Sequence, residues 1–317
     1  MSPSVRRGRC GEGEPAGPGG ELAPESIPVT GRRLRSGATA VRRLTERLIG
    51  SLAWSAVRGS SRDVTAQLVD ARLLVFAPHP DDETLACGGC VARAAATGGD
   101  VHVIVVTDGR HARWDVAPDT TALIRARELS RAGAQLGLAP DQVQSLGRED
   151  QSLDAHVGEL RDQIGQLLRA HRPTVVLSPW AHDTHDDHAA LGRAVRDAGA
   201  DYGVEILEYV VWAWTHPMRL VRNRLRRSQG PDRSPGRGHG GARTRWPVRV
   251  RTGDYLGPKT GALSSYASQL GPSADQLGLP SGSGPLEAGF LRRYLGRSEV
   301  FLPFGRGAFM PGGPERR

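Results

Sequence analysis

The middle of this 317-residue sequence predicts an α/β fold: a Rossmann-like three-layer sandwich built on a mostly parallel sheet. Two observations carry the prediction. Short apolar runs at 73–76, 101–106, 174–177 and 206–211 alternate with helical stretches near 84–96, 120–136, 157–170 and 187–199, the pattern of strands buried between helical layers. Two of those runs, 73–76 and 174–177, stop abruptly in dense polar clusters, as strands do when their carboxyl ends open onto a ligand crevice. No G-x-G-x-x-G follows the first run, so the likeness to dinucleotide binders ends at the layers.

In chain order, residues 1–36 are rich in Gly, Pro, Glu and Arg without an apolar period, and are expected to be disordered. Arg6, Arg7 and Arg9 are not followed by the apolar stretch of a signal peptide, and nothing reaches the ~18 apolar residues of a membrane span, so a cytoplasmic location is expected. Over 37–70, Val41, Leu44, Leu48, Ile49, Leu52 and Trp54 recur at helical spacing and predict a helix packed on the core, with a membrane-surface helix as the other reading. The catalytic core is expected over 71–217, with a shorter strand near 143–146. Residues 218–251 read as an insertion or lid: eleven arginines stand there against Asp232, a net charge near +10 in a chain of +8, so the remainder is near −2. Residues 252–304 return to an amphipathic pattern, helical over 255–270, and 305–317 form a tail.

The chemistry gathers at the two strand ends. After Leu73, Leu74, Val75 and Phe76 come His79, Pro80, Asp81, Asp82 and Glu83, with Thr84 placed to cap the next helix. If the chain turns into a helix here, His79 and Asp82 share a face as one nitrogen and one oxygen ligand, and Asp81 points elsewhere. A catalytic zinc takes about three protein ligands and keeps one position open, so the third must come from another segment. The second cluster, with His182, Asp183, His185, Asp186, Asp187 and His188 after Val175, Val176 and Leu177, supplies candidates. Taken alone, HPDD is as well read as a polar turn with Asp82 as cap, and a single His188 as a structural histidine.

HPDDE after one strand and H-x-D-H after another resemble the PIG-L/LmbE-like family of zinc-dependent N-acetylglucosaminyl deacetylases. The second motif usually reads HPDH; His185, Asp186, Asp187 and His188 fill it here with aspartate in place of proline. The resemblance extends from about Arg72 to Phe301, through Thr107, Asp108 and Gly109, through Arg125, Arg127 and Glu128, and through Lys259, Ala262, Leu263, Ser268 and Gln269, with Tyr266 where many members have histidine. It implies a metal, Zn2+ or alternatively Fe2+, on His79, Asp82 and His188. It further implies Asp81 as general base, His185 as the group that polarises the amide or stabilises the tetrahedral intermediate, and Asp187 behind the ligands. Asp108, Arg125, Arg127 and Lys259 would face the substrate, a small N-acetylglucosamine conjugate losing its acetyl group.

Other readings remain open from the residues alone. An amidase acting on a larger acyl-glucosamine conjugate would use the same chemistry, and the arginine segment would suit a protein that binds nucleic acid or an anionic surface, although Trp246 alone among those arginines is a poor stacking platform and no specific nucleic acid is expected. Cys87 and Cys90 form a C-x-x-C without the second pair a structural zinc requires, and read as small buried residues. Gly257 to Gly261 fails the phosphate-loop spacing, and no G-x-S-x-G supports a serine hydrolase.

Overall fold

Among the described residues, five-residue strands in which every side chain is buried occur three times, and a strand can bury both faces only inside a sheet covered on both sides. The computed structural model describes residues 45–46, 48–113, 115–215 and 246–305, which fall in one unit, 43–317. The expectations for 1–36, 218–245 and 306–317 lie outside the described residues. In order, the elements are helix α1 (45–46 and 48–60), β1 (Arg62–Asp63), β2 (Leu73–Ala77), α2 (Asp82–Ala96), β3 (Val101–Thr107), α3 (Pro118–Gln135), β4 (Val143–Arg148) and α4 (Val157–His171). There follow β5 (Val175–Pro179), α5 (Asp186–Tyr202), β6 (Glu205–Tyr209), β7 (Val248–Arg251), α6 (Leu256–Ser265), α7 (Ala288–Leu291) and β8 (Ser298–Phe304).

The strands make one eight-stranded sheet in the order β1-β7-β8-β6-β5-β2-β3-β4. All neighbours are parallel except β8, which runs antiparallel to both β6 and β7. The fold is therefore the expected α/β sandwich. Side chains alternate across it with the strand period of two: Leu73, Val75 and Ala77 of β2 join one core with α2, α3 and α6, while Leu74 and Phe76 join a second with α4 and α5. The second core is filled by Leu160, Ile164 and Leu168 of α4 against Leu191, Ala194 and Val195 of α5, all three-and-four-spaced apolar positions.

Connectivity places the site. From β2 the chain winds outward through β3 to β4, then returns to lay β5 on the other side of β2. Leu73 is thus paired with both Val101 and Val175. The reversal is a topological switch point, and the loops leaving β2 and β5 part there to open a crevice.

Two outer regions differ from expectation. The last four residues of the arginine segment are not insertion but strand β7, because Val248 and Val250 alternate inward while Arg249 and Arg251 face out. Helix α1 packs on the rest through one side only: Gly50 lies against Trp214 and the Trp54 ring meets the Trp214 ring edge-on at 5.2 Å, while Leu48, Ile49 and Leu52 are exposed. Among the described residues no helix is long and apolar enough to cross a membrane.

Candidate active site

The loop after β2 is held in an unusual shape. Asp81 sits at φ +126°, ψ −29°, a region that L-residues rarely occupy, and begins α2 without a side-chain cap. Its carbonyl accepts the amides of Thr84 and Leu85, and its own N–H donates to Glu83 Oε2 at 3.0 Å. Thr84, expected as the cap, lies inside the helix because Asp82 already opens it. Asp82 Oδ2 accepts the His79 amide and stands 3.2 Å from His79 Nδ1, so the two candidate ligands are clasped by the turn itself. Asp81 does not point away: with Asp82 it lines the same cavity of about 150 Å3, together with His79, Arg125, Asp150 and His185. The turn, not a helical repeat, sets these directions.

The loop after β5 closes from the other side. α5 lies so near its own strand end that a Cβ on Gly192 would come within 2.5 Å of Pro179 O and 2.6 Å of Ala181 N; glycine permits the approach. The first turn of α5 thereby brings His188, fully buried, to 3.2 Å from Asp82 Oδ2 across the crevice. His188 Nδ1 faces Asp183 at 3.8 Å, and that carboxylate is fixed by the amides of Val211 and Trp212. Asp187 accepts the Gln151 and Leu153 amides and stands 3.1 Å from His79 Nε2. His185 packs on His79 and His188, with ring centroids 4.9 and 5.0 Å away, and Trp212 beyond it stacks on Phe290.

His79, Asp82 and His188 each offer a ligand atom, all within 4.8 Å of one another; His79, His185 and Asp187 form a second, overlapping group. Nδ1 of His188 and Nδ1 of His185 are buried without a hydrogen-bond partner, and His188 Nε2 has only the Asp82 carboxylate at 3.2 Å beside it, which a coordinated or substrate-facing imidazole would explain. The charges ask for a cation as well. Asp81, Asp82, Asp150 and Asp187 are buried together, and the nearest fixed positive group, Arg125, reaches Asp81 at 3.4 Å and donates to the Pro80 carbonyl. The donor set fits a divalent metal with nitrogen and oxygen ligands.

The titration behaviour follows. Burial would favour neutral His79, but its bonds to Asp150, Asp187 and Asp82 outweigh that and push its pKa well above the ordinary histidine value. Burial raises Asp82, yet His188 and His79 more than reverse it and hold its carboxyl low. Asp150 is lowered to about 2, its His79 contacts overcoming burial. Asp81 is pushed the other way, to about 8: burial dominates, Arg125 counters it, and Asp82 and Glu83 add repulsion. His185 falls to about 4, through burial and then through His188 and His79, and is neutral near pH 7. Two neighbouring carboxyls driven apart in pKa are the usual mark of divided acid–base roles.

Some expected residues do not reach the cavity. Lys259 is buried in an ion pair with Glu299, 2.7 Å away; Arg127 is exposed, whereas Arg125 and Glu128 of α3 are buried; Asp108 binds Arg110 at its own loop. None of the three lines the cavity. Asp150, 3.0 Å from His79 Nε2, escaped the sequence reading because β4 carries few buried apolar residues and so barely registers as a strand. A carboxylate just beyond a strand end was the one available signal.

Residues 74–199 match the family model described as PIG-L: GlcNAc-PI de-N-acetylase. The chain is 32% identical over 126 residues to diacetylchitobiose deacetylase of Thermococcus kodakarensis, covering 38% of this chain and 46% of that protein. It is 29% identical over 163 residues to 1D-myo-inositol 2-acetamido-2-deoxy-alpha-D-glucopyranoside deacetylase of Rhodococcus opacus, covering 43% and 56%. The chain therefore spans about half the length of these relatives. Among solved structures, a conserved protein from Thermus thermophilus superimposes with a TM-score of 0.51 at 26% identity, over 77% of this chain and all of that one. With the paired motifs at adjacent strand ends of the matched segment, residues 74–199 are similar to the PIG-L family.

Proposed function

We propose that the protein is a metal-dependent hydrolase that removes the N-acetyl group from a small N-acetylglucosamine conjugate. The observation that carries the reading is the meeting of His79 and Asp82 with His188, from two separate strand ends, with Asp81 in the same cavity. The names of the relatives, both deacetylases of acetamido sugars, support the substrate class.

His79, Asp82 and His188 would hold the cation, which when bound supplies Lewis acidity for the acetamide carbonyl and brings a water's pKa down to ~7. Asp81, with a carboxyl that takes up a proton readily, accepts the proton of the attacking water and returns it to the departing amine. Arg125 keeps that carboxylate oriented and sets how strongly it holds the proton. His185, neutral and with one ring nitrogen unpartnered, donates a hydrogen bond to the oxyanion of the tetrahedral intermediate. Asp187 and Asp150 fix the ring of His79 from behind.

The test is elemental analysis of the purified protein beside His188→Ala, with amine release from N,N′-diacetylchitobiose measured on both. About one zinc or iron per wild-type chain, lost together with amine release in the variant, is expected. A wild type that binds no metal after reconstitution would overturn the reading.

A further inference from the structure

Helix α1 turns the wrong side to the solvent. Thr45, Leu48, Ile49, Leu52, Ser55, Ala56 and Gly59 recur at three-and-four spacing, form one face without a charge, and are all exposed. Leu48 is 58%, Ile49 42% and Leu52 71% accessible, whereas the side that meets the protein holds Gly50 and Trp54 against Trp214. A solvated helix normally shows the reverse distribution. A second exposed apolar group stands beside its end: Arg62, two residues past α1, donates its amide to the Pro247 carbonyl, which brings in Trp246, itself 69% accessible. Tryptophan is a residue of membrane–water boundaries.

The surroundings are positive. Between Arg42 and Arg62 the sequence has five arginines and a single acid, Glu46. The Arg58 guanidinium lies over Gly296 and Arg293 reaches Ser51, while Arg251 is paired with Asp63 at 2.7 Å and adds no net charge there. A second copy of the chain would bring the same arginines to the same face and be repelled, so the charge favours a partner that is both apolar and anionic.

We propose that α1, with Trp246 at its end, lies in the plane of an anionic lipid bilayer and holds the protein at that surface as an interfacial helix. The leucines and isoleucine enter the acyl boundary and the flanking arginines meet lipid phosphates. This is independent of the hydrolase reading and involves none of the residues of the cavity.

The experiment is vesicle flotation of the full chain with pure phosphatidylcholine and with about 30 mol% phosphatidylglycerol, comparing wild type, Leu48→Asp/Leu52→Asp and a variant lacking 219–245. Expected are binding to the anionic vesicles only, weakening as salt is raised, and a loss of about tenfold or more in affinity for the leucine variant at unchanged metal content, with the deletion variant still bound. Three results would each overturn the proposal: the leucine variant binding as wild type, binding that vanishes only with the 219–245 deletion, or a wild-type dimer in light scattering that the leucine variant dissolves while no form binds vesicles.

Discussion

Two sets of buried charges meet helix α2, one at its first turn and one, from α6 and β8, at its middle, and they are finished to different degrees. At the middle, Glu299 Oε1 accepts the Gly89 amide and Lys259 Nζ, both at 2.7 Å, and Oε2 accepts the Cys90 amide at 2.8 Å. A Cβ on Gly89 would stand 2.6 Å from Thr252 Cβ and 3.0 Å from that carboxylate, so the glycine admits the clamp. There every charge has its opposite within the chain. At the first turn, buried carboxylates outnumber cations and two imidazoles keep nitrogens without partners. A buried charge that completes itself is architecture; one left incomplete among oriented donors is a place for something that arrives.

The contrast can be broken most severely at the ligands. Asp82→Ala should remove bound metal and with it essentially all amine release, read by elemental analysis and a fixed-time assay; full metal occupancy would take Asp82 out of the ligand set. Asp81→Asn comes next: metal retained, kcat lowered by about 10²–10⁴, the range of a lost acid–base group. An Asp81→Asn protein with wild-type kcat would assign the proton transfer elsewhere.

At the self-completed pair the prediction changes kind. Glu299→Gln leaves the Lys259 ammonium buried without its partner and should cost about 3–5 kcal/mol in denaturant unfolding, with kcat/KM per folded molecule unchanged. A fall in kcat/KM at full folding would instead tie the clamp to the geometry of the first turn.

The smallest effect lies between the two sets. Arg125 lowers the Asp81 carboxyl, which burial holds at about 8, so Arg125→Gln should raise it further. A base must be unprotonated to act; a higher pKa keeps the proton on to higher pH, and the acid limb of kcat/KM against pH should move upward. If the limb moves by about one pH unit, activity at a fixed pH on it falls about tenfold. A limb that stays in place would assign it to another group.

Legibility in the sequence divides along the same physical line. The strands around the crevice were readable because burial on both faces demands uninterrupted apolar runs, and both polar clusters were readable because each begins within a few residues of such a run. β1, β7 and β8 were not: an edge strand of two residues has no period, and alternating Val248, Arg249, Val250 and Arg251 is masked by the arginines before it. The direction of Asp81 depends on one positive φ, which no pattern announces, and Asp150 and the Lys259–Glu299 pair depend on contacts between distant segments. Residue types at a strand end can be read locally; which of them converge is a property of the sheet order.

The backbone of Asp81 also bears on how such a protein can change over time. A non-glycine residue held at φ +126° costs on the order of 1–3 kcal/mol, and glycine at that position would recover much of it. Selection acting on heat resistance alone would therefore favour replacing Asp81, and would yield a sturdier chain with the carboxylate gone from its cavity. If Asp81 carries the proton as proposed, that role competes with folding at this position, and Asp81→Gly should yield a more stable chain that has lost amine release.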